Sequence, residues 1–165
     1  MNYKRLGIVA ALLILLSFPA FASLVSFMVV ETGLSEDVSS TQHSSVWEGG
    51  LMDAFFDAGF IVTNSPATRV DEKPAIDLSG FILNDFEDAA EGGAEFFVIA
   101  FLDSHVQGGR MVPYNMTLKM YSIDSRQLLF EQTFPINMDR TLDQEFEFAK
   151  NAGRILINHI RTIRV

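Results

Sequence analysis

Apolar residues along this chain fall into continuous runs and spaced runs, and their alternation predicts an α/β fold. Residues 24–32, LVSFMVVET, are almost unbroken in apolar and β-branched side chains, the pattern of a strand buried on both faces. A polar loop, GLSEDVSSTQHSS, follows, and Ser45-Val46-Trp47-Glu48 then has capping-box spacing, in which each end of the motif satisfies the other's orphan backbone donor. The helix it opens places Trp47, Leu51, Ala54, Phe55 and Ala58 on one face. Gly59 ends it, because glycine takes the left-handed cap without strain. Gly49-Gly50 inside this helix costs roughly 1 kcal/mol per glycine, which close packing on the sheet, or a later helix start, would explain.

Residues 60–63 predict a short second strand, and residues 65–74 read as a loop by composition. A second helix over 81–91 turns Ile82, Leu83, Phe86, Ala89 and Ala90 inward and stops at Gly92-Gly93. Residues 96–102, FFVIAFL, contain no polar side chain and predict a central strand. Residues 103–112 are expected to form a loop around Gly108-Gly109. Beyond it Tyr114, Met116, Leu118 and Met120 alternate with Asn115, Thr117, Lys119 and Tyr121, so the fourth strand has one wetter face. A turn at 123–126 returns the chain as a fifth strand over 127–134, a hairpin. Thr141-Leu142-Asp143-Gln144 is a second capping box. Leu142, Phe146, Ala149, Gly153, Leu156, Ile160 and Ile163 then recur at four and three spacing, the clearest helix in the chain. The expected order is β-α-β-α-β-β-β-α in a single domain: a mixed five-stranded sheet with three helices. The first three strands are parallel, and the first and third are central.

The amino terminus adds an address. MNYKR, the apolar run LGIVAALLILLSF and the A-x-A of Ala20-Phe21-Ala22 are the three parts of a secretory signal. The alternative is an uncleaved membrane anchor, since residues 6–30 carry no charge and a span needs about 20 apolar residues. Pro19 inside that stretch, and a strand beginning directly after it, favour a signal peptide over 1–22, cleavage after Ala22 and a periplasmic or secreted domain over 23–165. Removing Lys4 and Arg5 leaves 10 basic against 21 acidic residues, which argues against nucleic-acid binding. There is no cysteine, hence no disulfide, no thiolate metal site and no lipidation point for a lipid anchor.

The opening strand FMVVE, the unit LMDAFFDAGFIVTN, the segment AAEGGAEFFVIAFLD and the hairpin MTLKMYSIDSRQLLFEQTF resemble a group of bacterial envelope domains. These are the amino-terminal domain of TolB, the curli secretion lipoprotein and the lipoprotein activators of penicillin-binding proteins. The resemblance covers nearly all of the mature chain. The chain departs from the lipoproteins by its missing cysteine and from TolB by lacking a propeller. Such proteins mostly bind other envelope proteins, so the resemblance implies a protein-binding module that does no chemistry.

Motif chemistry points the same way. The chain has no G-x-S-x-G elbow, phosphate loop, dinucleotide turn or HExxH helix. No catalytic, cofactor-binding or metal-ligating residue is therefore assigned. His43 and His105 follow the first and third strands, near the sheet edge where α/β folds place ligands. They define the alternative: a small-ligand-binding or hydrolytic site in which Asp103 orients an imidazole. His159 suits the carboxyl end of its helix. Asp85, Glu87, Asp88, Glu91 and Glu95, like Asp53 and Asp57, read as solvated helix faces. The 13 phenylalanines of the mature chain exceed one core stripe, so Phe56, Met52 or Phe148 is expected on a second buried surface or an interface. Arg110, Met111 and Tyr114 are the residue types enriched at interface centres. They are the candidate partner-binding residues, beside the exposed hairpin edge, for an envelope protein or a second copy of the chain.

Overall fold

The nearly continuous apolar strand β1 (Leu24–Thr32) is buried along almost its whole length and sits at the heart of the sheet. The computed structural model describes residues 23–33, 42–74, 77–107, 110–137 and 140–163. The expected signal peptide lies outside them. Among the described residues no helix is long and apolar enough to cross a membrane.

The other strands are β2 (Ile61–Asn64), β3 (Thr68–Val70), β4 (Phe96–Gln107), β5 (Arg110–Ser122) and β6 (Leu128–Pro135), with helices α1 (Gln42–Asp57), α2 (Gly80–Glu91) and α3 (Leu142–Ile163). The fold is α/β, and the sheet runs β2-β1-β4-β5-β6 with β3 also on β1, making six strands rather than five. The added strand lies inside the segment read as a loop. β2 pairs with the first half of β1 and β3 with its second half, both parallel. β4 is parallel to β1, and β5 and β6 complete the sheet antiparallel.

Alternation along the strands sorts the core into two layers. Phe27, Val29, Val98 and Leu118 pack with Trp47, Leu51 and Phe55 of α1 and Ala149, Leu156 and Ile160 of α3. Met28, Val30, Phe97, Ile99 and Phe101 pack with Ile82 and Phe86 of α2 on the opposite side. Trp47 and Phe55 are fully buried. Phe148 is half-buried edge-on to Trp47 and Phe134, at 5.5 and 6.3 Å between ring centroids, whereas Phe56 is 69% exposed.

The expected box at Thr141 forms: the Thr141 N–H donates to Gln144 Oε1 at 3.0 Å and the Gln144 N–H to Thr141 Oγ1 at 3.3 Å. The box expected at Ser45 does not cap, because α1 already starts at Gln42. Of the glycine pair of α1, Gly50 is explained by the neighbour helix rather than by the sheet. A Cβ on Gly50 would strike the Phe146 carbonyl oxygen and come within 2.8 Å of the Ala149 methyl. One turn along, a Cβ on Gly153 would lie 2.8 Å from that of Ala54. The two helices touch backbone to backbone.

Candidate functional site

Residues 103–112 do not form a loop. β4 and β5 continue as one antiparallel ribbon whose register runs through His105↔Val112 and Val106↔Met111 to Gln107↔Arg110. The main sheet stops short of them. β1 ends with Thr32 opposite Asp103, and β6 ends with Pro135 opposite Asn115. Among the described residues, 104–107 and 110–113 therefore have no strand beside them except each other. At about 3.3 Å per residue the ribbon projects roughly 13 Å beyond the sheet.

Three features fix the root of this arm. Gly33, at φ +89°, ends β1 directly against Ser104, where a Cβ would run into the Ser104 carbonyl oxygen. Only glycine meets both demands, on space and on dihedral. Thr32 Oγ1 donates to Asp103 Oδ1 at 2.8 Å and ties β1 to β4 at the branch point. The register shifts between Asp103 and Ser104, a bulge that re-aims the strand as it leaves the sheet.

Of the three candidate partner-binding residues, Tyr114 stands at the arm's base, 42% exposed, its ring 5.6 Å from the His105 imidazole. Arg110 and Met111 belong to β5, paired with Gln107 and Val106, so the arm brings all three onto one strand. The side chains of Arg110 and Met111, and that of His43, lie outside the described structure. His105 is a strand residue, and His43 lies in the first turn of α1 rather than in a loop. Asp103 serves Thr32, and His105 packs on Tyr114.

The free edge of β6 is partly closed. Ile136 N–H donates to the Tyr114 carbonyl at 2.8 Å, and alternation in an antiparallel ladder then turns the backbone groups of Pro135, Thr133 and Glu131 outward. Pro135 has no N–H to offer there. At the other end the register skips from Phe130 to Leu128, so Leu129 is the extra residue of a bulge. Its carbonyl accepts from His159 Nε2 at 2.9 Å. A carbonyl can only accept, so Nε2 carries the proton.

Polar chemistry gathers on the wetter face of β5. Lys119 Nζ donates to Asp77 Oδ2 at 2.6 Å and Glu131 Oε1 at 3.2 Å, and Tyr121 OH donates to the same Asp77 oxygen at 2.6 Å. Burial and the Asp77 hydrogen bond both hold the Tyr121 phenol well above its ordinary range. Burial opposes the charge on Lys119, but its hydrogen bonds to Asp77 and Glu131 outweigh that and raise its pKa. The alternation of β5 revealed the wet face, but Asp77, 42 positions before Lys119, gave no signal. Elsewhere Glu31, buried on β1, pairs with Arg69 of β3 at 2.8 Å. Asp53 and Asp57 do not simply face water: both hold Lys150 of α3. Glu87 pairs with Arg126 at 2.6 Å. Among the described residues no three His, Asp or Glu side chains gather so as to hold a metal ion.

Several solved structures are similar in outline. TolB from Acinetobacter baumannii matches with 12% identity and a TM-score of 0.47 over 87% of this chain, which spans 28% of that protein. The PelC dodecamer from Paraburkholderia phytofirmans matches with 12% identity and a TM-score of 0.44, covering 86% of this chain and 90% of that one. For the LpoB C-terminal domain from Salmonella enterica the identity is 12%, the TM-score 0.43 and the coverage 75% and 90%. No curated protein matches the chain in sequence. A family model described as "Uncharacterised protein" matches residues 24–132, from the start of β1 into β6, and the chain belongs to that family.

Proposed function

We propose that this protein is a non-catalytic periplasmic module that binds a partner protein in cell-envelope assembly or maintenance. The observation that carries the reading is the β4–β5 arm. A two-stranded ribbon is at best marginally stable in water, yet this one leaves the sheet with no strand on either flank among the described residues. Unpaired strand edges are templates for a partner's backbone. Tyr114 supplies an exposed aromatic at the arm's base, and Arg110 belongs to the same strand. The signal-like first 22 residues support the compartment. The resemblance stated from the sequence supports an envelope partner, whether another protein or a second copy of this chain.

The test is a pull-down from envelope extract with the wild type and an Arg110→Ala/Tyr114→Ala variant, both checked for equal melting temperature. Loss of a specific partner from the variant supports the reading. The same partners captured by both proteins would remove the arm from contention. A bound small molecule in native mass spectrometry, with no protein captured, would favour the ligand-binding alternative.

A further inference from the structure

Among the described residues Phe56 is the most exposed large apolar side chain, at 69%, and Ile155 is 43% exposed. They stand on α1 and α3, the two helices that cover one side of the sheet. Gly50 lies against Phe146 and Ala149, and four residues further on Ala54 lies against Gly153, so the two helices run in the same direction. Phe56 follows Ala54 by two positions, and Ile155 follows Gly153 by two. Two positions are about 3 Å along a helix and about 200° around it. Phe56 and Ile155 therefore sit at one level and on opposite flanks of the pair, each turned away from the seam.

The two helices also differ in charge. α1 carries Glu48, Asp53 and Asp57 and no lysine or arginine, whereas α3 from Lys150 onward carries Lys150, Arg154 and Arg161 and no acid. Within the chain Lys150 already holds Asp53 and Asp57 across the seam. Asp57 remains 56% exposed, and Arg154 is exposed beside it.

We propose that the outer face of α1 and α3 is the docking surface for a second copy of this chain. A two-fold axis along the seam lays α1 of one copy over α3 of the other, at the same level. Phe56 then covers the partner's Ile155 on one flank, and Ile155 covers the partner's Phe56 on the other. Acid lies over base in both halves, with Asp57 facing the partner's Arg154. An axis across the helices would instead set α1 on α1 and bring its three carboxylates against the same three, so charge selects the first arrangement. The 16 residues of α1 span about 24 Å, and two helices side by side are about 20 Å wide, so the outline is roughly 500 Å² per partner. That is below the roughly 800 Å² of a standard interface, which makes the dimer a weak one.

Sedimentation equilibrium from micromolar to millimolar protein tests this. A reversible monomer–dimer equilibrium is expected, weakened at least tenfold in Phe56→Glu, whose melting temperature should match the wild type because the side chain is exposed. The Arg110→Ala/Tyr114→Ala variant, altered only in the arm, should dimerise as the wild type does. Geometry is read by disulfide trapping, since the chain has no cysteine of its own and a bridge needs Cα atoms within about 7 Å. Mixing Phe56→Cys with Ile155→Cys under mild oxidation should give a mixed covalent dimer, ahead of either variant bridged to itself. A chain that stays monomeric, equal dimerisation of wild type and Phe56→Glu, loss of the dimer in the arm variant, or bridging of Phe56→Cys only to itself would each overturn the proposal. So would a monomer that binds phosphatidylglycerol vesicles through Phe56, which would assign the face to lipid.

Discussion

Neighbouring glycines in one helix should respond in opposite directions to the same substitution. Gly49→Ala and Gly50→Ala both remove a poor helix former from α1, and each gains about 1 kcal/mol of helix propensity on that account. At Gly49 the new methyl meets only the Phe146 ring, at 3.5 and 3.9 Å, an ordinary contact. At Gly50 it meets the Phe146 carbonyl oxygen and, at 3.1 Å, the Lys150 backbone nitrogen, neither of which can rotate aside. α3 must then move as a body, which loosens the Ala54–Gly153 contact in the same seam. Overpacking of this kind costs typically 1–3 kcal/mol, and rigid backbone puts the site at the upper end. The expected result is Gly49→Ala more stable than wild type by about 1 kcal/mol and Gly50→Ala less stable by roughly 1–2 kcal/mol. For a chain of this size each kcal/mol moves the melting midpoint by about 2–4 °C. Urea denaturation followed by tryptophan fluorescence measures both, because Trp47, the single tryptophan, sits in the same layer. Coincident melting of the two variants, or a more stable Gly50→Ala, would refute the close approach of α1 and α3.

Two further outcomes follow from buried polar groups. The raised pKa of Tyr121 means its protonated form is favoured in the folded state. Its contribution to stability is therefore full below the ordinary value of 10.0 and is lost as pH rises through the folded value. Tyrosinate absorbance should show one phenol ionising late, together with unfolding, and Tyr121→Phe should remove that step; an unchanged titration would disprove the Asp77 contact. The Trp47 indole N–H donates to Glu145 Oε2 at 3.2 Å in the core. Glu145→Ala should cost roughly 1–3 kcal/mol, and Glu145→Gln, which keeps an acceptor, clearly less. Equal denaturation midpoints for the two variants would contradict that account.

Where a segment packs against a core, its pattern was readable. The continuous run of β1 and the four-three spacing of α3 place both elements at residues 24–32 and 142–163, as observed, because each spans the interior and has to be apolar there. β3 is illegible in the sequence: its three residues, TRV, carry no period and become a strand only by lying along the second half of β1. The arm is illegible for a different reason. At the root of the ribbon the buried positions are Ser104 and Pro113, which set no apolar alternation, so Asp103, Ser104, His105 and Gln107 read as a loop while their backbones pair as a strand. Residue type alone marks Tyr114, but its partnership with His105 depends on the register of that ribbon.

The outer edge of β6 bears on how the protein behaves when concentrated. Between the prolyl nitrogen of Pro135 and the His159-held carbonyl of Leu129, Glu131 and Thr133 are the two outward-facing residues that offer both donor and acceptor. A foreign strand laid there would gain a short rung or two and then meet a missing donor at one end and an occupied acceptor at the other. Fibril growth needs long, uninterrupted edges that recruit identical copies without limit. This rim denies them, so end-to-end polymerisation along β6 should stall at nucleation, and removing His159 or Pro135 would lengthen the vulnerable stretch.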